Sequence, residues 1–233
     1  MGGTGRRQRL PMLGGDLLRR VHPGWAQTSA TIGPFAEAWA AVNEEARAGT
    51  GPLWVALGDS TGQAIGAASP DGGYVGAVRK WLDERSGRRW RVVNLSVSGA
   101  RAVDVLTAQL PALEGLPAPD LVTVAVGTND VVRRTPLAAL EATLADVFGR
   151  LPAGAVVATL PRGLGRSRPA AVNRLIERLA GELDLVVADV WARTGPPWRG
   201  KFSADGFHPN ESGYADWAAA FTEAMAPRWE AAR

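Results

Sequence analysis

Three side chains in this sequence have the types needed for nucleophilic attack on a carbonyl group. Ser60 follows a short apolar run in VALGDSTGQAIGA, where a strand-to-helix turn would expose its hydroxyl group. Asp205 and His208 are three residues apart in DGFHPN, so a turn there would let Asp205 hold one imidazole nitrogen while the other faces Ser60. Each pattern alone is weak, because a serine after a strand can simply cap a helix and D-x-x-H can be a structural turn.

The elements that would position these side chains alternate between strands and helices. Short, mostly continuous apolar runs predict five strands, at 53–58, 91–96, 121–127, 155–160 and 185–190. Helical patterns separate or follow them, at about 73–85, 103–113, 136–150, 168–182 and 212–230. In the last of these helices, Tyr214, Trp217 and Phe221 share one face and are expected in the core. The alternation predicts an α/β domain with a mostly parallel sheet and helices on both faces.

Polar segments follow four of the five predicted strands. They contain Ser60, Gly99, Asn129 and the pair Asp205 and His208. Ligands of open parallel sheets bind beyond the carboxyl ends of the strands. The sequence therefore predicts that these segments meet at one edge of the sheet, and their conjunction is a much stronger pattern than any one of them.

Composition excludes several other chemistries. The 233 residues contain no cysteine and only two histidines, which rules out a cysteine nucleophile and a histidine-rich metal site, although an all-carboxylate magnesium site stays open. Neither G-x-x-x-x-G-K-[ST] nor G-x-G-x-x-G occurs, and Asp59 would repel a phosphate group, so nucleotide binding is disfavoured. The net charge of +3 and the absence of a nucleic-acid motif favour a solvated surface over a nucleic-acid partner.

The sequence also predicts where the chain is found and how it is divided. No stretch is long and apolar enough for a membrane span, and the N-terminus lacks the apolar region of a secretory signal, so a cytoplasmic protein is expected. Residues 1–50 precede the first strand and are interpreted as an N-terminal extension with one helix, at 35–47. Residues 51–233 are interpreted as a single domain that holds the site.

Four short blocks in this order resemble the SGNH hydrolase superfamily, also called the GDSL esterases and lipases. The blocks are Gly58-Asp59-Ser60, Gly99 in NLSVSGAR, Asn129 in VGTND, and DGFHPN, and they span most of the chain. The resemblance implies a three-layer α/β/α, flavodoxin-like sandwich with a five-stranded parallel sheet. Two positions depart from the family pattern, Thr61 in place of leucine and Ser96 in place of a glycine.

The resemblance also implies a role for each matched residue. Ser60 would be the nucleophile, His208 the general base and acid, and Asp205 the partner that orients His208. The oxyanion hole would consist of the backbone N–H groups of Ser60 and Gly99 and the side-chain amide of Asn129. The implied function is a serine esterase that hydrolyses small acyl esters through an acyl-enzyme intermediate, with no cofactor.

Alternatives on the same fold stay open at this stage. The same site could serve an acyltransferase or a thioesterase, or the fold could belong to a non-catalytic binding protein. Arg162, Trp198, Phe202 and Phe207 lie close to the predicted site and are candidates for an acyl pocket, although each aromatic ring alone is more often a packing residue. The sequence does not indicate the natural substrate or the oligomeric state.

Overall fold

The structure, a computed structural model, describes residues 23–165 and 167–230 and is built on a five-stranded parallel sheet. The strands are β1 Leu53–Gly58, β2 Arg91–Asn94, β3 Leu121–Ala125, β4 Val156–Ala158 and β5 Val186–Ala188. Their order across the sheet is β2-β1-β3-β4-β5, with Val55 of β1 opposite both Val93 and Val122. This is the flavodoxin-like order, so the predicted fold class is confirmed.

Helices cover both faces of the sheet and produce two separate cores. The helices are α1 Pro23–Ala30, α2 Ile32–Ala48, α3 Tyr74–Ser86, α4 Ala102–Asp104, α5 Leu110–Glu114, α6 Thr128–Val132, α7 Leu137–Gly149, α8 Ser167–Glu182, α9 Val190–Arg193 and α10 Glu211–Glu230. Successive residues of β1 point to opposite faces, so Val55 and Leu57 enter one core while Trp54 and Ala56 enter the other. The result is the expected three-layer sandwich.

The C-terminal helix α10 packs its aromatic side chains into the second core. Tyr214, Trp217 and Phe221 are all buried, and Tyr74 of α3 stacks on Phe221 with ring centroids 4.8 Å apart. The predicted core role of these three residues is confirmed. Although α10 has 20 residues, none of the helices in the described ranges is long and apolar enough to cross a bilayer.

The predicted element boundaries differ from the observed ones in a consistent way. The strand predicted at 91–96 ends at Asn94, and the strand predicted at 121–127 ends at Ala125. In both cases apolar or small residues continue past the end of the strand. After Asn94 the N–H groups of Leu95 and Val97 still donate hydrogen bonds to the carbonyls of Ala56 and Gly58 in β1. Helix α2 begins at Ile32, earlier than predicted, because Pro34 falls in the first turn, where a backbone N–H is not needed.

The described part of residues 1–50 contains two helices, whereas the sequence predicted one. Helix α2 lies along the free edge of β2, where the Asn43 side chain accepts a hydrogen bond from the Asn94 N–H (2.7 Å) and donates one to the Asn94 carbonyl (2.8 Å). The Arg91 guanidinium also donates to the carbonyl of Ala46 (2.6 Å). These bonds satisfy backbone groups that an uncovered edge strand would expose. The domain boundary at residue 50 stays a prediction.

Candidate active site

The turn that carries Ser60 is shaped by the aspartate before it. Asp59 Oδ1 accepts hydrogen bonds from both the backbone N–H (2.9 Å) and the hydroxyl group (2.8 Å) of Thr61. Burial raises the pKa of Asp59 above its ordinary value, although both hydrogen bonds from Thr61 act in the opposite direction. Asp59 thus restrains the turn at Ser60 through its two hydrogen bonds with Thr61.

The hydroxyl group of Ser60 faces the imidazole of His208, which in turn contacts Asp205. Ser60 Oγ and His208 Nε2 are 3.1 Å apart, and His208 Nδ1 lies 2.6 Å from Asp205 Oδ2. All three side chains are buried. The structure therefore brings together the serine, histidine and aspartate singled out from the sequence, with a separation that allows proton transfer between Ser60 and His208.

Asp205 is held in its ionised form by the turn in which it lies. Its Oδ1 accepts hydrogen bonds from the backbone N–H groups of Phe207 (2.8 Å) and His208 (2.9 Å) and from the Ser203 hydroxyl group (2.8 Å). Burial alone would raise the pKa of Asp205, but the hydrogen bond from His208 and the backbone donors together lower it to about 2. An ionised Asp205 can orient His208 and stabilise the imidazolium ion.

Two contacts hold the loop that follows Ser60, one with the loop of His208 and one with helix α10. Gly66 has φ of +103°, and a Cβ atom there would lie 2.4 Å from the Pro209 carbonyl oxygen and 2.8 Å from His208 Cβ. In the same loop, the carbonyl of Ile65 accepts a hydrogen bond from the hydroxyl group of Tyr214 (2.7 Å). The base and the nucleophile come from distant parts of the chain, and these close approaches set the distance between them.

Three hydrogen-bond donors near the ends of the strands are candidates for stabilising an oxyanion. In the part of the chain that the structure describes, the backbone N–H groups of Ser60 and Gly99 have no acceptor. Asn129, in the first turn of α6, donates one amide proton to the carbonyl of Ala100 (3.0 Å), which leaves its second proton free. Asp130 accepts a hydrogen bond from the Ala102 N–H (2.9 Å) and so joins the loops that carry Gly99 and Asn129.

A pocket of about 100 Å³ opens beside Ser60 and His208. All four residues proposed from the sequence as substrate contacts line it: Arg162, Trp198, Phe202 and Phe207. The Arg162 guanidinium lies over the ring of Trp191, 5.5 Å from its centroid, and the rings of Trp198 and Phe202 are 6.0 Å apart. The pocket wall is mostly apolar, so it can accept a carbon chain or ring attached to a reacting carbonyl group.

Several residues at this site were not predicted from the sequence. Leu164 and Trp217 also line the pocket, as do Lys201 and Asp216, whose side chains form an ion pair at 2.6 Å. Trp25 of α1 stacks on Phe207 and approaches His208 edge-on. Periodicity indicated that Trp217 was a core residue, and no pattern in the sequence connects Trp25 to a loop near the opposite end of the chain.

Comparison with solved structures supports the fold. TesA is 27% identical, with a TM-score of 0.66, over 75% of this chain and 98% of its own. LAE5, an α/β hydrolase from the metagenome of Lake Arreo, Spain, is 25% identical, with a TM-score of 0.62, over 76% and 96% of the two chains. Axe2, an acetylxylan esterase from Geobacillus stearothermophilus, is 24% identical, with a TM-score of 0.61, over 78% and 98%, and shows the fold alone.

Sequence comparisons give the family. A search of curated proteins gave no significant match. The family model of the GDSL-like Lipase/Acylhydrolase family matches residues 56–215, a range that contains Ser60, Gly99, Asn129, Asp205 and His208. These residues are the ones on which the resemblance to the SGNH hydrolases was based, and the solved structures share the five-stranded parallel fold. The chain belongs to the GDSL-like lipase and acylhydrolase family.

Proposed function

We propose that this protein is a serine esterase that hydrolyses carboxylic esters through an acyl-enzyme intermediate. The observation that carries the proposal is the chain of short contacts from Ser60 Oγ through His208 to Asp205, at 3.1 and 2.6 Å. Within the described ranges, the backbone N–H groups of Ser60 and Gly99 have no acceptor. Membership of a hydrolase family supports the same reaction class.

In the first half of the proposed reaction, Ser60 Oγ attacks the carbonyl carbon of the ester. His208 Nε2 accepts the hydroxyl proton as the new C–O bond forms. Asp205 stays ionised and stabilises the resulting imidazolium ion, while the donors of Ser60, Gly99 and Asn129 stabilise the oxyanion. His208 then returns the proton to the leaving alcohol as the C–O bond to it breaks, which leaves the acyl group on Ser60.

The second half uses the same groups in reverse order. Water attacks the acyl carbon and His208 Nε2 takes its proton, after which the bond to Ser60 breaks and His208 returns the proton to Ser60 Oγ. The sum is ester plus water giving carboxylic acid plus alcohol. Nothing in this cycle requires a cofactor, because proton transfer and oxyanion stabilisation both come from groups of the chain.

The apolar pocket supports small acyl esters as the substrate class. Trp198, Phe202 and Phe207 surround a space of about 100 Å³ next to the nucleophile. An apolar acyl group that enters this space buries its surface while its carbonyl group stays at Ser60. We therefore expect turnover to depend strongly on the length of the acyl chain.

The proposal is tested by activity and by covalent labelling of one serine. The wild-type protein should hydrolyse at least one member of a p-nitrophenyl ester series of increasing chain length, and a fluorophosphonate probe should label it. Ser60→Ala should lose both the turnover and the label, whereas Ser69→Ala, which changes an exposed serine, should keep both.

Two outcomes would overturn the proposal. Labelling of Ser60→Ala at the wild-type level would mean that another serine is the nucleophile. No turnover of any ester, together with no labelling of the wild-type protein, would instead support a non-catalytic binding protein on the same fold.

A further inference from the structure

Helix α1 lies against the loop that carries the aspartate and the histidine of the site. Gly24 is buried directly on this loop, where a Cβ atom would lie only 1.9 Å from the Ala204 carbonyl oxygen and 3.0 Å from the Asp205 nitrogen. Only glycine permits this approach. The helix lies before residue 56, where the match to the family begins, so the family itself assigns it no role.

The ring of Trp25 covers the imidazole together with Phe207. The Trp25 and Phe207 rings are stacked with centroids 5.9 Å apart, and the Phe207 ring meets the His208 ring edge-on at 5.0 Å and 90°. Trp25 also approaches His208 directly, with centroids 6.2 Å apart at 67°. Because both aromatic rings lie against the buried imidazole, they restrict its rotation and limit the access of water to it.

A chain of hydroxyl groups connects the same helix to the aspartate. The Ser203 hydroxyl group donates its proton to Asp205 Oδ1 at 2.8 Å. Since that proton is used, the contact of 3.4 Å between Thr28 Oγ1 and Ser203 Oγ must have Thr28 as the donor. Thr28 is buried, so its hydroxyl group is held in this chain rather than free in solvent.

We propose that α1 is a positioning element for the catalytic loop, with Trp25 holding His208 and Thr28 holding Asp205 through Ser203. Both residues act through their neighbours and neither contacts the substrate pocket. The inference rests on the proposed function, in which His208 transfers the proton of Ser60. A displacement of about 1 Å in such a group can reduce the rate roughly 100-fold, so modest loosening of the loop has a large effect.

The test compares variants of the full-length protein that keep or remove each contact. Trp25→Ala should reduce kcat for a p-nitrophenyl ester by roughly 10- to 100-fold with little change in KM, and Trp25→Phe should restore most of it because a ring remains to stack on Phe207. Thr28→Val should reduce kcat less, and Thr28→Ser should restore it because the hydroxyl donor returns. Gln27→Ala changes an exposed residue of the same helix and should behave as wild type.

A spectroscopic measurement separates this inference from the proposed function. The proton between His208 Nδ1 and Asp205 gives a low-field ¹H resonance in the NMR spectrum that does not depend on turnover. It should be present in the wild type and in Gln27→Ala, and be broadened or absent in Trp25→Ala while the far-UV circular dichroism is unchanged. If Trp25→Ala keeps both the resonance and the wild-type kcat, the inference is wrong, even if Ser60→Ala shows that the esterase proposal is right.

Discussion

Asn129 is the residue whose loss should affect the transition state most selectively. Its side chain lies at the pocket beside Ser60, with one amide proton held by Ala100 and the other free for an oxyanion. Asn129→Ala should lower kcat by about 10²–10³ with little change in KM, because the oxyanion forms only in the transition state. Steady-state kinetics with a p-nitrophenyl ester gives both kcat and KM for the variant and the wild type.

The isosteric replacement of Asn129 serves as the matched control. Asn129→Asp keeps the shape but offers an acceptor instead of a donor, so its kcat should fall at least as far as that of the alanine variant. A wild-type kcat in either variant would mean that Asn129 does not stabilise the oxyanion.

Asp205 should give the protein a marked sensitivity to acid. Its pKa is lowered to about 2 in the folded protein, below the ordinary value near 3.9, so the ionised form favours folding. This stability is fully present above about pH 4 and is lost as the pH falls towards about 2. Between these pH values the wild type should lose free energy of unfolding more steeply than Asp205→Asn, as measured by denaturant titration at several pH values.

The same substitution should also reduce catalysis. Asp205→Asn removes the charge that stabilises the imidazolium ion and presents an amide to His208 Nδ1, so kcat should fall by about 10⁴. An unchanged acid-stability profile in Asp205→Asn would mean that Asp205 does not carry the charge described here. An unchanged kcat would mean that it does not orient His208.

The contribution of Asp59 to stability should depend on pH in the opposite direction to that of Asp205. Burial raises the pKa of Asp59, so its ionised form is less favourable in the folded protein than in the unfolded chain, and its contribution to stability falls as the pH rises through its titration. Asp59→Asn keeps an oxygen for the two Thr61 donors and removes this unfavourable charge. The variant should therefore have a higher Tm than the wild type at neutral pH, as measured by thermal unfolding followed by circular dichroism.

The control for this prediction is a comparison of Tm between Asp59→Asn and the wild type at acidic pH. The difference in Tm between Asp59→Asn and the wild type should shrink as the pH is lowered, since the wild-type carboxyl group then takes up its proton. A variant less stable than the wild type at neutral pH would show that the charge of Asp59 contributes to the fold.

Single residues of the candidate site could be singled out from the sequence alone. Ser60, Asp205 and His208 could be found because their chemistry restricts the residue types and because each follows a predicted strand. Arg162 and Trp198 could only be suggested, since an arginine or tryptophan near a site suits packing equally well. Their position at the pocket depends on loops without a sequence pattern.

At the scale of elements, helix α2 protects one edge of the sheet. Asn43 satisfies both backbone groups of Asn94 in β2. Asn43→Ala would leave these buried groups without partners, so the free energy of unfolding should fall by about 1–3 kcal/mol, or about 2–10 °C in Tm. Thermal unfolding followed by circular dichroism measures this.

The neighbouring position on α2 provides the control for this variant. Glu44→Ala changes an exposed residue and should shift the free energy of unfolding by less than about 0.5 kcal/mol. Equal stability of Asn43→Ala and Glu44→Ala would mean that water replaces the asparagine at the edge of β2 without loss.

The sequence predicted the larger elements well because their hydrophobic periodicity extends over many residues. Helices α3, α7, α8 and α10 lie within a residue or so of their predicted ranges. The helix predicted at 103–113 is interrupted by a π-helical turn at Val105–Gln109. This turn leaves the apolar pattern intact, so hydrophobic periodicity could not have predicted it. Helix α6 has only five residues, too few for any periodicity.

At the scale of the whole molecule, the pocket combines residues from several loops and should set the preferred ester. Trp198 lines it and is an exposed residue, so Trp198→Ala should enlarge the pocket without disturbing the core. The ratio of kcat/KM for long to short p-nitrophenyl esters should rise roughly threefold to tenfold, because added methylene groups find new space. Trp198→Phe, which keeps an aromatic ring, should shift this ratio less.

An unchanged ratio of kcat/KM in Trp198→Ala would mean that the acyl chain does not bind beside Trp198.

The sequence could not have indicated the shape of this pocket. Its wall is formed by the segments 161–164, 194–195 and 198–209 together with α10, and their arrangement depends on how loops from distant strands pack at the edge of the sheet.

The active site joins parts of the chain that are made at very different times. Ser60 and His208 are 148 residues apart, and the contact between Thr28 and Ser203 spans 175 residues. During synthesis the N-terminal helices emerge first, but the loop of Asp205 and His208, against which α1 packs, is made near the end of the domain. Closing such long loops is also a slow step in refolding. Recovery of ester hydrolysis should therefore lag behind the burial of Trp54 in the sheet, and a chain that ends before His208 should show no ester hydrolysis.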